Sequence, residues 1–132
     1  MALYLDWVTV DCQDPRRLAE FWSAVLGYRI YEDDADEDEV SIVPDPPQGT
    51  RITFYKVPDV KKVKNRLHFD LRGTGDQAAE VARLKALGAT EVDIGQGDET
   101  WTVLADPEGN EFCVLRTLTP DEIRQRAHAG WS

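Results

Sequence analysis

Residues 66–88, RLHFDLRGTGDQAAEVARLKALG, carry two periodicities in one run. From 66 to 72 apolar and polar residues alternate strictly, the period-two pattern of a half-buried strand. From 76 to 87 the spacing turns helical, with Val81, Leu84 and Leu87 on one stripe and Gly88 placed to end the helix. The same sequence of events occurs earlier. Residues 3–10 alternate and are rich in β-formers, and Asp14-Pro15 then supplies an N-cap followed by an N1 proline. Leu18, Phe21, Trp22, Val25 and Leu26 follow at helical spacing before Gly27. Gly27 and Gly88 stand 61 residues apart, as do Leu26 and Leu87, and the same offset pairs Trp7 with His68. A repeat of a whole supersecondary unit predicts two facing halves with a shared seam.

Working outward, short strands are expected at 28–32, 39–43 and 51–57 after the first helix, and at 89–94, 100–105 and 111–117 after the second. Pro44, Pro46, Pro47 and Gly49 punctuate one connection, and the turn Asp106-Pro107-Glu108-Gly109-Asn110 precedes the last strand. Thr119-Pro120-Asp121-Glu122 reads as a capping box that opens a tail helix over 119–129. The expected fold class is α+β in a single domain over 1–132. One βαβββ module covers about 3–57, a linker 58–65, and a second module about 66–117.

The 132 residues suffice for one real core. A formal charge of −10 opposes binding to phosphate backbones and to anionic membranes, so neither nucleic acid nor membrane is expected as a partner. The two cysteines have no metal-type spacing, which suits a reducing compartment. The N-terminal residues meet an acid at Asp6 without a basic region, and no apolar run approaches the roughly 20 residues of a membrane helix. A cytoplasmic location is the resulting expectation.

Asp14-Pro15, Phe21-Trp22 and Leu26-Gly27-Tyr28 together resemble the opening helix of the vicinal oxygen chelate superfamily, the glyoxalase, bleomycin-resistance and extradiol dioxygenase group. The turn 106–110 resembles its late turn, and Lys61 to Leu71 its glyoxalase-like branch; the resemblance spans 3–117. It implies paired modules forming an open, partly barrel-like, eight-stranded mixed sheet around a cleft. It also implies four strand positions that hold a divalent ion in metal-using relatives. Those positions fall on Trp7, on His68, on Cys113 and near Ile52 or Phe54, and only His68 is of the expected type. No metal cofactor is therefore expected; a divalent ion shared by His68 and Glu111 is the lesser alternative.

Strand alternation assigns the rest of the cleft. Leu67, Phe69 and Leu71 are expected on the helix side, leaving Arg66, His68, Asp70 and Arg72 toward the cleft. On the first strand Val8, Val10 and Cys12 point inward and Trp7, Thr9 and Asp11 toward the cleft. The candidate cleft set is thus Trp7, Thr9, Phe54, Arg66, His68, Asp70, Trp101, Glu111 and Cys113. An indole beside a mixed-charge row suits a small ligand, aromatic or anionic in character. His68 and Asp70, on one face, are the candidates for acid–base catalysis.

Other features carry less. Residues 32–39 hold seven acids in eight, but Glu39 and Asp45 occupy the positions where an EF-hand needs Gly and Glu, so a solvated hairpin is expected. Lys56, Lys61, Lys62, Lys64 and Arg66 form a basic cluster on the linker, read as surface or as an attractor of anions. Phe21 is expected in the core and Trp22 at the helix edge or in a subunit contact; Trp101 is a pocket wall or core residue, and Trp131 a docking residue or part of a disordered tail. Both a homodimer and a monomer fit the sequence. Two function classes remain open: a metal-independent small-molecule binding protein, and a lyase- or dioxygenase-type enzyme using His68 and Asp70 or a reduced metal shell.

Overall fold

A computed structural model describes residues 1–45, 49–93, 95, 97 and 100–130. The elements follow the order read from the repeat: β1 (Trp7–Cys12), α1 (Pro15–Leu26), β2 (Arg29–Tyr31), a 3₁₀ turn (Glu32–Asp34), β3 (Glu39–Val43) and β4 (Arg51–Lys56). The second set is β5 (Phe69–Leu71), α2 (Gln77–Leu87), β6 (Thr90–Glu91), β7 (Thr102–Ala105) and β8 (Glu111–Val114), closed by α3 (Pro120–His128). Among the described residues the strands form two four-stranded sheets, ordered β1-β4-β3-β2 and β5-β8-β7-β6, with no closed barrel. In each sheet the first strand of the module lies parallel to its last, and the other pairings are antiparallel. No helix among the described residues is long and apolar enough to cross a membrane. Pro46, Pro47, Trp131 and the end of the expected strand 89–94 at Ile94 lie outside the described residues.

Local chemistry explains the helix limits. Asp14 caps α1 by accepting from Arg17 N, Pro15 occupies the first turn, and Gly27 ends the helix at φ 69°, a left-handed conformation that glycine adopts without steric cost. Asp76 caps α2 by accepting from Ala79 N. The capping box at α3 is complete, with Thr119 and Glu122 bonding each other's backbone N–H.

Two strands begin later than the alternation suggests. Residues 1–6 precede β1 and are exposed, and β5 begins only at Phe69. Leu67 therefore does not face the helices: it is 90% exposed. With no strand neighbour at that point, nothing fixes its parity.

Parity also overturns one cleft residue. The β1–β4 register pairs Val8 with Ile52 and Val10 with Phe54, so these side chains share one face. That face packs under α1, and Phe54 is fully buried there with Val40 and Ile42. Phe54 is a core residue, and β4 turns Arg51, Thr53 and Tyr55 to the opposite face.

One hydrophobic cluster spans both modules, from Leu18, Phe21 and Trp22 on α1 to Leu84, Leu104, Phe112 and Val114. Trp22 is its joint. It lies neither at a helix edge nor in a subunit contact, being only 2% exposed. Its ring meets Phe69 at 5.5 Å and Phe112 at 4.9 Å, both edge-on, while Phe21 packs against it from within α1 at 5.3 Å. Adjacent helix positions are both buried because α1 has its own sheet on one side and the second module on the other.

Candidate functional site

The turn between β7 and β8 carries the joint into the site. Asp106 is buried, and its carboxylate accepts from Trp22 Nε1 at 3.0 Å, from Glu108 N at 2.9 Å and from Asn110 N at 3.0 Å. The side-chain amide of Asn110 donates to the same carboxylate. Glu108, in the same turn, accepts from Gln13 N at 2.7 Å and Asp14 N at 2.8 Å, fastening the entrance of α1. One five-residue turn thus holds both modules through charge-assisted bonds.

Above this joint a cavity of about 490 Å³ opens between the edges of β1 and β5. Val8, Val10, Trp22, Leu67 and Phe69 supply apolar wall; Thr9, Asp11, Asn65, His68, Asn110 and Glu111 supply polar groups. Glu111 is already engaged. It accepts from Lys61 Nζ at 2.8 Å and from Asn65 N at 3.1 Å, which ties the linker across the cavity. Burial by itself would raise the Glu111 carboxyl, but the bonds from Lys61 and Asn65 outweigh it and hold the group below the usual carboxylate value. Asn65 Nδ2 also donates to Asn110 at 3.0 Å.

His68, Asp70 and Cys113 come together. His68 Nε2 lies 3.3 Å from Asp70 Oδ1, and β5–β8 pairing sets Asp70 directly opposite Cys113. Cys113 is buried, and burial followed by the nearby Asp70 carboxylate pushes its thiol above the ordinary value.

The other sequence candidates disperse. Thr9 lines the cavity but accepts from Trp7 Nε1 at 3.2 Å. Trp7 is 47% exposed, carries the Arg51 guanidinium over its ring at 5.3 Å and is not part of the cavity lining that includes His68. Arg51 donates to Ser41 Oγ at 2.8 Å and to Asp34 at 3.1 Å. Arg66 is exposed beside a separate linker cavity of about 400 Å³. Trp101 lines a third cavity of about 420 Å³ with Glu91 and Val103. Sequence reasoning missed Trp22, Asp106, Asn65 and Asn110. The Asp106–Asn110 turn was visible in the sequence, but not that it would clasp the opposite module.

The glyoxalase-like domain model matches residues 7–115. The chain belongs to the glyoxalase-like family. Solved structures of the same fold include a glyoxalase/bleomycin resistance protein/dioxygenase family enzyme from Burkholderia phytofirmans, at 20% identity over 83% of this chain and 94% of that one, TM-score 0.63. A FosX fosfomycin resistance protein from Listeria monocytogenes, complexed with Mn(II) and a dihydroxypropylphosphonic acid, matches at 17% identity over 97% and 100%, TM-score 0.63. A hypothetical protein of S. aureus matches at 18% identity over 88% and 95%, TM-score 0.65. A search of curated proteins found no match.

The donor set of this glyoxalase-like chain does not suit a hard, oxygen-seeking ion such as Mn(II). The positions that the resemblance implies for a metal offer an indole at Trp7, an imidazole at His68, a thiol at Cys113 and an apolar, buried side chain at Ile52 or Phe54. Glu111, the carboxylate that would restore an oxygen donor beside His68, is bonded to Lys61 and Asn65.

Proposed function

We propose that the chain binds a small molecule in the cavity between its two modules, without the hard-metal shell of metal-using relatives. The carrying observation is the cavity itself. Its volume of about 490 Å³ falls within the ordinary range of ligand pockets, and apolar wall faces a few fixed polar groups. The apolar side accepts an aromatic or aliphatic body. Asn65 and Asn110, fixed by their mutual hydrogen bond, and the His68 imidazole meet a polar end. Lys62, Lys64 and Arg66 of the adjoining linker cavity, which shares Asn65 and Asn110 with this one, add positive charge near that end.

The test is thermal-shift screening of small aromatic and anionic compounds with and without EDTA. The expected result is a stabilising ligand whose effect survives the chelator. That shift shrinks in Thr9→Phe, which blocks the cavity from the exposed edge of β1, and in Leu67→Ala at its mouth. Shifts that vanish with EDTA, or that persist in both variants, contradict the proposal.

The 3.3 Å contact between His68 and Asp70 favours a second reading, an enzyme in which the carboxylate orients the imidazole for proton transfer. Chelator-insensitive conversion of a bound compound decides for it, provided His68→Ala and Asp70→Asn abolish turnover while binding is retained.

A further inference from the structure

Alternation along β5 and β8 gives the second sheet a face turned away from α1 and α2. Leu71 and Val114, paired across the ladder, point to the core, so Asp70 and Arg72 point the other way. Leu115 N donates to Leu71 O at 2.8 Å, which carries the ladder one residue past β8 and puts the Leu115 side chain on that same outer face. The chain then turns into α3, which supplies the opposite wall of a cavity of about 590 Å³, larger than the one between the modules. Its lining includes none of the strand positions that the resemblance implies for a metal.

The walls of this cavity are fixed but do not meet. Ile123 and Ala127, four residues apart, share one face of α3. Yet no residue of α3 is buried, and Ile123 is 53% exposed. The helix is held by its first turn instead, through the capping box of Thr119 with Glu122 and the ion pair of Glu122 with Arg116. Its apolar stripe, with Leu115 and Leu118, therefore borders open space rather than a packed interior. The rim is cationic in an acidic chain. Arg72 and Arg126 both line it, against the single carboxylate of Asp70, which lies 3.3 Å from His68 Nε2. Arg72 donates one N–H to Arg116 O and keeps further donors in a planar fork that matches a carboxylate.

We propose that this cavity binds an amphipathic carboxylic acid, its alkyl chain between Leu115 and the Ile123–Ala127 stripe and its carboxylate on Arg72 and Arg126. Burial of the chain supplies affinity, and the guanidiniums fix its direction through charge-assisted hydrogen bonds. A net charge of −10 repels highly charged anions at long range, which favours a monoanion over a polyphosphate. The apolar wall favours an alkyl chain over a sugar. The site is separate from the intermodular cavity, which takes apolar wall from the core-facing Val10, Trp22 and Phe69.

The experiment is titration of the ¹⁵N-labelled full chain with hexanoate, octanoate and decanoate, with octylamine as the control of opposite charge. Amide shifts should saturate and centre on Thr74, Leu115, Thr117 and Ala127. Each added methylene should tighten binding about two- to fourfold as more of the chain is buried. Octylamine should bind at least about tenfold more weakly than octanoate. Ala127→Phe fills the cavity and Arg72→Gln removes a carboxylate partner, both from exposed positions, and each should weaken octanoate at least about fivefold, with Arg72→Lys recovering part of the loss. Octanoate shifts centred on Thr9, Asn65 and Asn110 would put the acid between the modules, overturning this proposal while leaving the intermodular reading intact. No saturation by decanoate at about 10 mM, an affinity indifferent to chain length, octylamine binding on a par with octanoate, or undiminished binding in both variants also overturns it. So does a concentration-dependent dimer that buries α3 against a second copy.

Discussion

Consider removal of the carboxylate that joins the modules. In Asp106→Ala the buried indole N–H of Trp22 loses its 3.0 Å partner. An unsatisfied buried donor costs about 1–3 kcal/mol. The amides of Glu108 and Asn110 lose partners at 2.9 and 3.0 Å. Both residues are partly exposed, so water can replace the carboxylate, and these losses are about 0.5–1 kcal/mol each. The expected total is about 2–5 kcal/mol. At roughly 3–5 °C per kcal/mol for a chain of this length, Tm should fall by about 6–25 °C. Trp22→Phe removes the same bond from the other side but leaves Asp106 its contacts with Asn110 and Glu108, and should cost about 2 kcal/mol. Urea unfolding of both single variants and the double variant closes a mutant cycle. The two losses should fall short of additivity by about 1–2 kcal/mol, because the second change has no Trp22–Asp106 bond left to remove. Additivity within about 0.5 kcal/mol would refute the claim that this bond couples the modules.

Further consequences are testable. The folded-state value of Glu111 is depressed, so its contribution is present above the unfolded carboxylate value of about 4.3 and lost as pH falls through the lower folded value. Glu111→Gln should therefore be less stable than wild type at pH 7, the gap closing on acidification in urea melts. Glu122 is held down to about 2, first by its hydrogen bond with Arg116 and then by Thr119 N. Amide NMR should therefore find the Glu122 bond to Thr119 N intact at pH 4 and weakened as pH falls toward 2, with Glu122→Ala lacking it throughout. Burial, and then Glu108 and neighbouring acids, pushes the Cys12 thiol up to about 12; Cys113 is raised as well. A disulfide reagent at pH 8 should label neither thiol in the folded chain and both in denaturant; rapid native labelling of Cys12 would count against its buried setting.

The repeat made the fold legible. The glycines at 27 and 88, the proline and aspartate caps and the alternating stretches are local signals, and each matches an observed element. Side-chain parity was legible only where a strand was long enough to be paired. Val10 and Cys12 point into the core as alternation requires, whereas Leu67 lies before its strand and is exposed. Phe54 was readable in principle: Ile52 and Phe54 alternate with Arg51, Thr53 and Tyr55, and the apolar pair goes beneath the helix. Trp22 was not readable, because its burial comes from the opposite module rather than from its own helix. The engagement of Glu111 with Lys61 and Asn65 was hidden for the same reason, since it depends on the course of the linker.

Amide chemical-shift mapping decides whether a ligand is held between the modules. A ¹⁵N-labelled chain in EDTA would be titrated with the best compound from the thermal screen. Binding between the modules should give saturable shifts centred on Thr9, Asn65, His68 and Asn110, which line the intermodular cavity. Shifts centred instead on Glu91, Trp101 and Val103, around the cavity beside β6 and β7, would overturn it.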